Sequence, residues 1–195
     1  MQKDMRRLGN KVYSIGVNDC DKELFEGLWP LPCGVSYNSY LIRDEKTVLI
    51  DTVEQGFEDE YITNMLEAAG GRSIDYLVVN HMEPDHSSMI RFITDRYEDL
   101  KIIANTKTVP MLKGYYGISE DRIIVVKDSD SICIGECSLS FHMIPMVHWP
   151  ETMVTWLAEE GTLFSGDAFG TFGAVEEHIV GDKDTFERYR DEMIR

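Results

Sequence analysis

The chain has 195 residues, of which 43% are hydrophobic, and its formal net charge at pH 7 is −16. This length suits one domain, and the apolar content excludes global disorder. The acidity argues against nucleic acid as a partner, because phosphate binding needs clustered lysines and arginines. No apolar run reaches the roughly eighteen residues of a membrane span, and the N-terminus lacks a signal peptide's apolar segment. We therefore predict one domain over residues 1–195, in the cytoplasm, without a membrane segment.

The four cysteines are Cys20, Cys33, Cys133 and Cys137, and none of them forms a Cys-x-x-Cys pair. In a reducing compartment this pattern favours free thiols, which we expect to be buried or half-buried. A disulfide framework or a zinc ribbon is the less favoured alternative.

Short strands open the chain. Alternating apolar and polar residues predict a strand over 11–17, and the segments 36–42 and 46–51 predict a hairpin. A helix follows, with its apolar residues at helical spacing and Gly70-Gly71 as its end. The apolar face of this helix comprises Phe57, Tyr61, Ile62, Met65 and Leu66.

Strands and helices then alternate. A buried strand is predicted over 74–80, and a second helix is expected after His86, with Ser87 or Ser88 near its N-cap. Further strands are predicted at 101–104, 123–126, 131–134, 138–144, 153–157 and 162–165, and a short helix at 106–112. The resulting pattern predicts a layered α/β architecture.

A last amphipathic helix is predicted near the C-terminus, with Asp184 as its N-cap. Its apolar residues are Phe186, Tyr189, Met193 and Ile194. The helical pattern runs to Arg195 without a residue that would end it. We therefore expect the sequence to stop inside an element of a longer ancestral chain.

Side chains that can bind metal cluster directly after the apolar run 74–80. They are His81, Glu83, Asp85 and His86, and they are followed at a distance by His148 and Asp167. In sheet-based α/β folds, ligands bind beyond the carboxyl ends of strands, where several loops meet. Alternate residues of an extended loop project to one side, so His81, Glu83 and Asp85 can face together. Imidazole and carboxylate groups without thiolate suit iron, manganese or zinc.

Each of these residues also has an ordinary structural interpretation. A lone histidine or aspartate in a loop is commonly solvated, and Asp85 or Ser87 could cap the next helix. The spacing of the whole cluster favours a metal site over these interpretations.

The pattern His81-x-x-x-Asp85-His86, with the later His148 and Ser165-Gly-Asp167, resembles the metallo-β-lactamase superfamily. Most hydrolases of that superfamily carry a histidine where this chain has Glu83. The form with glutamate is similar to the flavodiiron proteins. Further stretches that match these proteins are 29–42, 49–53 and 148–153.

The resemblance implies an α/β fold of the metallo-β-lactamase-like αββα sandwich type, incomplete at the C-terminus. It also implies a non-haem diiron oxidoreductase that reduces dioxygen to water or nitric oxide to nitrous oxide. By resemblance, His81, Glu83 and His148 are the ligands of one iron. Asp85 and Asp167 are the ligands of the other, and Asp167 can bridge the two.

Two further residues are expected to support the ligands without binding metal. His86 matches a position that flavodiiron proteins often leave uncoordinated. Asp51 follows a strand, and we expect it to hydrogen-bond a metal-bound histidine.

The resemblance also indicates missing parts. The family's last histidine ligand falls beyond residue 195, and His178 is a poor substitute that suits a surface or interface role better. No flavodoxin-like domain is present, so flavin mononucleotide would come from a missing segment or a partner chain. Electrons would come from a rubredoxin or a flavodoxin-like chain. We therefore expect the chain to be a fragment, half of a split enzyme, a degenerate remnant or a shortened chain. We also expect self-association or a partner chain, because sheet edges and apolar faces are left uncovered.

Two other functions stay open. A hydrolase of the same superfamily would act on a thioester, lactone or phosphodiester, with Asp85 as the base. A metal-binding remnant without catalysis is the other possibility. The carboxylate of Glu83 argues against the hydrolase, since carboxylate-rich ligation favours iron over zinc.

Overall fold

Two packed β-sheets with helices on the outer face of the larger sheet make up the fold. The computed structural model describes residues 6–175. The helices are α1 (Glu58–Ala69), α2 (Pro84–Ser87), α3 (Ile90–Arg96) and α4 (Thr108–Tyr116). The strands are β1 (Arg6–Arg7), β2 (Val12–Ser14), β3 (Val17–Asp19), β4 (Leu24–Phe25), β5 (Trp29–Pro30), β6 (Val35–Tyr37), β7 (Tyr40–Arg43), β8 (Thr47–Ile50), β9 (Tyr76–Val78), β10 (Lys101–Asn105), β11 (Ile123–Val126), β12 (Ser131–Cys133), β13 (Ser138–Met143), β14 (Met153–Leu157) and β15 (Thr162–Phe164).

The larger sheet has seven strands in the order β1-β2-β7-β8-β9-β10-β11. Its first four strands are antiparallel, whereas β8, β9, β10 and β11 run parallel. The smaller sheet, β12-β13-β14-β15, is antiparallel throughout. The parallel strands β8, β9 and β10 therefore end at one edge of the larger sheet, and the loops that follow them can meet there.

The larger sheet is buried on both faces. One face packs against α1, α3 and α4, and the other packs against the smaller sheet. Successive residues of β7 and β8 alternate between these two cores, which is why both strands are apolar along most of their length. The core between the sheets includes Ile42, Val48, Ile50, Ile103, Leu139, Phe141, Met153 and Leu157.

The hairpin and the first long helix are confirmed, but the predicted segment 36–42 is divided into β6 and β7, and only β7 belongs to the hairpin. Residues of β7 and β8 pair antiparallel, with Tyr40 opposite Ile50. Helix α1 ends where Gly70 adopts a left-handed conformation with φ of 59°, which costs glycine little because it has no Cβ. Tyr61 and Met65 are buried as predicted, but Leu66 is exposed.

The strand predicted over 11–17 is divided into β2 and β3. The chain leaves the larger sheet at Gly16, and β3 pairs with β6 in a separate ribbon. A Cβ atom at Gly16 would collide with the backbone carbonyl of Tyr37. This close approach of two chain segments explains the break.

The helix expected after His86 begins earlier. Helix α2 starts at Pro84, so Asp85 and His86 lie within its single turn, and α3 follows from Ile90. A proline in the first turn fits because its φ is already helical and its missing N–H would be unpaired there anyway. The Ser87 hydroxyl lies 2.9 Å from the carbonyl oxygens of both Met82 and Glu83 and does not cap a helix.

The later strands lie where the sequence predicts them, to within two residues at each end. Helix α4 begins at Thr108 and continues past the predicted end at Leu112 to Tyr116. The predicted last helix and His178 lie outside the described residues. None of the helices within residues 6–175 has the length and apolar character that a bilayer crossing requires.

All four cysteines are free thiols, as predicted. Only Cys137 is buried, whereas Cys20, Cys33 and Cys133 are exposed. The expected burial was therefore wrong for three of them.

A buried carboxylate connects the two sheets at the turn between β7 and β8. Asp44 accepts hydrogen bonds from the Lys11 ammonium at 2.7 Å and from the backbone N–H of Cys137 at 2.8 Å. Burial raises the pKa of Asp44, but these donors outweigh burial and hold the pKa at about 2.

We expect Asp44→Asn to lower the free energy of unfolding by about 1–3 kcal/mol at pH 7, because buried donors lose a charged acceptor. The folded-state pKa of Asp44 lies below the unfolded value of about 3.9. Its stabilisation is therefore complete above about pH 5 and is lost as the pH falls through about 2. Urea unfolding at a series of pH values measures this, with Asp99→Asn, at an exposed aspartate, as the control. A difference between wild type and Asp44→Asn that stays constant down to pH 2 would contradict the prediction.

Candidate metal centre

The candidate ligands meet at the edge where the parallel strands end. His81 and Glu83 lie on the loop after β9, and Asp85 lies in α2 directly behind them. His148 lies on the loop between β13 and β14, and Asp167 follows β15. Both sheets therefore contribute to one site.

The first group of possible ligands consists of His81, Glu83, His148 and Asp167, whose ligand atoms all lie within 4.8 Å of one another. A Glu83 oxygen lies 3.2 Å from His81 Nε2 and 2.7 Å from His148 Nε2. Asp167 Oδ2 lies 3.3 Å from His81 Nε2 and 3.2 Å from His148 Nε2. Two imidazole nitrogens and two carboxylates thus point at one small volume.

The second group consists of Asp85, His86 and Asp167. His86 Nε2 lies 2.6 Å from Asp167 Oδ1 and 3.6 Å from Asp85 Oδ2. Asp167 therefore presents one oxygen to each group. The resemblance places His86 outside the ligand set, whereas the structure turns its Nε2 towards the shared aspartate.

The site is closed on one side and open on the other. The His81 side chain is fully buried and the Glu83 side chain is 5% exposed. The His148 side chain is 56% exposed and the Asp167 side chain 33%. A small molecule would therefore reach the site past His148.

The carboxylates make the site strongly anionic. Burial lowers the pKa of His81, but hydrogen bonds to Glu151 and Glu83 outweigh it and raise this pKa to about 10. The pKa of His86 rises to about 9, because its contact with Asp167 outweighs burial. Burial raises the pKa of Asp85 to about 6. The imidazoles thus hold protons between the carboxylates. A metal cation can take the place of these protons, because it brings positive charge to the same position.

The residues fit a two-metal centre. Among residues 6–175, the buried side-chain atoms without a hydrogen-bond partner are Asp85 Oδ1, His86 Nδ1 and Glu151 Oε2. All three belong to the two groups or to a residue that contacts them. Buried polar atoms are seldom left unpaired in native proteins, and a metal or its surroundings would account for these. The oxygen- and imidazole-rich donor set suits iron or manganese.

Asp51 contacts this site differently from the expectation. Its carboxylate accepts hydrogen bonds from the backbone N–H groups of Asn80, at 2.7 Å, and His81. It therefore shapes the backbone that leads into the ligand loop, and within residues 6–175 its carboxylate makes no hydrogen bond to an imidazole.

Glu151 is the residue that sequence reasoning missed. Its Oε1 lies 2.9 Å from His81 Nδ1, across 70 residues of sequence. The available signal was its position three residues after His148, in the stretch His148-Trp-Pro-Glu151. Trp149 of the same stretch sets its ring edge-on to His81, with 5.3 Å between the ring centroids.

A family model described as ODP family beta lactamase matches residues 35–194. The chain belongs to this family. An anaerobic nitric oxide reductase flavorubredoxin from Pectobacterium atrosepticum is 36% identical over 176 residues, which are 89% of this chain and 34% of that protein. The chain thus spans about a third of the length of this curated relative.

Solved structures support the same relationship. A flavo di-iron protein variant from Thermotoga maritima gives a TM-score of 0.88 at 33% identity and covers 96% of this chain and 48% of its own. Rubredoxin oxygen:oxidoreductase from Desulfovibrio gigas gives a TM-score of 0.88 at 28% identity. The match covers 97% of this chain and 48% of the Desulfovibrio chain. The resemblance to flavodiiron proteins and the metallo-β-lactamase-like fold are therefore confirmed for this ODP family chain.

Proposed function

We propose that residues 1–195 act as the metal-binding domain of a flavodiiron-type oxidoreductase. The reaction is the reduction of dioxygen to water or of nitric oxide to nitrous oxide. The observation that carries this proposal is the pair of carboxylate-rich ligand groups that share Asp167.

The ligand assignment follows the two groups. His81, Glu83 and His148 would hold one iron, and Asp85 would hold the other. Asp167 would bridge them, because its two oxygens face different groups. His86 Nε2 lies in the second group and is available to the second iron.

Two ferrous ions bound here would supply two electrons on becoming ferric, which zinc ions cannot do, since zinc has no redox chemistry. Any further electrons would come from a partner chain. Reducing dioxygen to two waters takes four electrons and four protons. Reducing two nitric oxide molecules to nitrous oxide and water takes two of each. The residues of this chain orient the site, shield it on the His81 side and leave it open beside His148.

The names of two relatives support both substrates. One is named a nitric oxide reductase and the other an oxygen oxidoreductase with rubredoxin. We propose that electrons reach this chain from a rubredoxin or flavodoxin-like partner, with flavin mononucleotide held outside residues 1–195, and that the protein works in the cytoplasm.

Exposed apolar side chains beside the open face support a partner or a second copy of the chain. Met146 is 69% exposed and Phe169 is 86% exposed, and both lie on the loops that carry His148 and Asp167. Covering this surface would remove apolar area from water.

Anaerobic reconstitution tests the proposed function. The protein is loaded with Fe²⁺ or with Zn²⁺, and the bound metal per chain is measured. We expect two irons per chain, and oxidation of both irons with release of nitrous oxide when the diferrous protein meets limiting nitric oxide. Uptake of zinc alone with thioester or lactone hydrolysis would support the hydrolase instead. Substoichiometric metal binding without nitrous oxide release would support the metal-binding remnant.

Glu83→His is the substitution that separates redox iron from hydrolytic zinc. We expect it to shift the preference from Fe²⁺ towards Zn²⁺ by about tenfold, because imidazole replaces a hard carboxylate ligand. Competition between the two ions for a limiting amount of protein measures this ratio. Glu98→Gln, at an exposed glutamate, is the control. An unchanged metal preference would show that Glu83 does not select the metal.

A further inference from the structure

Glu151 joins the two loops that carry the ligands of the first group. Its Oε1 lies 2.9 Å from His81 Nδ1 and accepts the backbone N–H of Met82 at 3.0 Å. Glu151 itself follows His148 by three residues on the other loop. A single oxygen of Glu151, on the His148 loop, therefore makes two contacts with the loop that carries His81.

This contact determines which nitrogen of His81 can bind a metal. With Nδ1–H donated to Glu151, Nε2 is left to face Glu83 and Asp167 at 3.2 and 3.3 Å. Thr152 Oγ1, at 3.4 Å from the same Nδ1, adds a weaker contact on that side of the ring. The imidazole is thus oriented before any ion enters.

The backbone around Glu151 is itself held in place. The Asn105 side chain, at the end of β10, donates to the Glu151 carbonyl oxygen. The Lys107 ammonium donates to the Pro150 carbonyl oxygen at 3.0 Å, and the Met153 N–H donates to the Asn80 carbonyl oxygen at 3.0 Å. These bonds tie the His148 loop to the ends of β9 and β10, so Glu151 has little freedom to move away from His81.

The charge of Glu151 is directed at His81. The side chain is fully buried, and no lysine or arginine among residues 6–175 forms an ion pair with it. Its Oε2 is left without a hydrogen-bond partner among those residues. If the role of Glu151 were purely structural, a buried carboxylate with an unpaired oxygen would only destabilise the fold. A carboxylate that accepts the Nδ1–H of a ligating histidine makes the opposite ring nitrogen a stronger electron-pair donor to a metal.

We propose that Glu151 is a positioning residue of the metal centre: it selects Nε2 of His81 as the ligand atom, strengthens that atom as a donor and keeps the His148 loop in register with it. This inference rests on the proposed metal centre. It adds a residue that acts through His81 and does not touch the metal.

Zn²⁺ serves as a diamagnetic probe to test the proposal, with wild type, Glu151→Gln and the control Glu98→Gln compared. Glutamine can accept both N–H groups but lacks the charge. We expect Glu151→Gln to melt close to wild type without metal and to bind Zn²⁺ about 10–100-fold more weakly in competition with a chromophoric chelator. The ¹H–¹⁵N signal of His81 Nδ1–H in the zinc-loaded protein should move upfield relative to wild type. Glu98→Gln should match wild type in every measurement.

The outcomes separate this inference from the proposed function. If wild type binds no metal, the proposed function fails. If wild type binds Zn²⁺ and Glu151→Gln binds it equally well, or more weakly with an unchanged His81 signal, the role of Glu151 is overturned. The wild-type signal alone remains decisive should the variant fail to fold. A slowly exchanging, downfield Nδ1–H supports the proposal, and a signal typical of a water-exposed imidazole overturns it.

Discussion

Asp167→Asn is expected to leave the protein folded but to reduce the iron bound after anaerobic reconstitution from two ions per chain to one or fewer. Asp167 is the only residue that belongs to both ligand groups found within residues 6–175. Its oxygens lie 2.6 Å from His86 Nε2 and 3.3 Å from His81 Nε2. An amide keeps the shape of the side chain but removes the negative charge and one acceptor oxygen.

The physical reason is that a bridging carboxylate serves both ions. Losing it removes a ligand from each ion and also removes charge that offsets the repulsion between two cations. We expect the affinity for the second ion to fall by at least about a hundredfold, which corresponds to roughly 2.7 kcal/mol. Metal analysis and titration with Fe²⁺ measure both quantities.

Asp99→Asn makes the same chemical change at an exposed aspartate and should bind iron as wild type does. Retention of two tightly held ions by Asp167→Asn would exclude the bridging role. Loss of both ions together with loss of cooperative unfolding would instead indicate a structural role for this side chain.

Phe141→Ala is expected to cause the largest loss of stability among the substitutions considered. Phe141 lies on the inner face of β13, is fully buried, and packs in the core between the two sheets. Truncating a buried phenylalanine removes transfer free energy and leaves a cavity, which costs about 3–5 kcal/mol. Domains are stable by only about 5–15 kcal/mol, so this is a large fraction of the total.

Urea unfolding of the metal-free protein measures the effect. Leu163→Ala is the control, because Leu163 lies on β15, the edge strand of the same sheet, and is 43% exposed. We expect its cost to stay below about 1 kcal/mol. Added metal should raise the stability of Phe141→Ala, since an ion that binds only the folded state stabilises it by mass action. A change below about 1 kcal/mol for Phe141→Ala would mean that the two sheets do not pack as described.

Features whose signals lie within a few residues were predicted well from the sequence. The β7–β8 hairpin follows from two alternating segments around a polar turn. The end of α1 follows from Gly70-Gly71, where both residues have a positive φ that glycine adopts at little cost. The predicted start of α2 was wrong because the sequence interpretation placed Pro84 in an extended loop. Proline suits the first turn of a helix equally well.

The candidate site was predicted in part. His81, Glu83 and Asp85 stand out because several ligand types follow one buried strand. His148 and Asp167 were candidates from the sequence, and the resemblance assigned them to the same site. The orientation of His86 towards Asp167 was not predicted, since these residues are 81 positions apart. The Glu151–His81 contact was missed for the same reason.

Local sequence patterns account for the residue types available for metal chemistry, for most of the strands and helices, and for the carboxylate at position 83. The packing of the two sheets is what turns one oxygen of Asp167 towards each ligand group and places Glu151 against His81. The physical reason is that local signals act through backbone geometry and neighbouring side chains. Contacts across 70 or 81 residues exist only because two sheets pack and bring their loops to one edge.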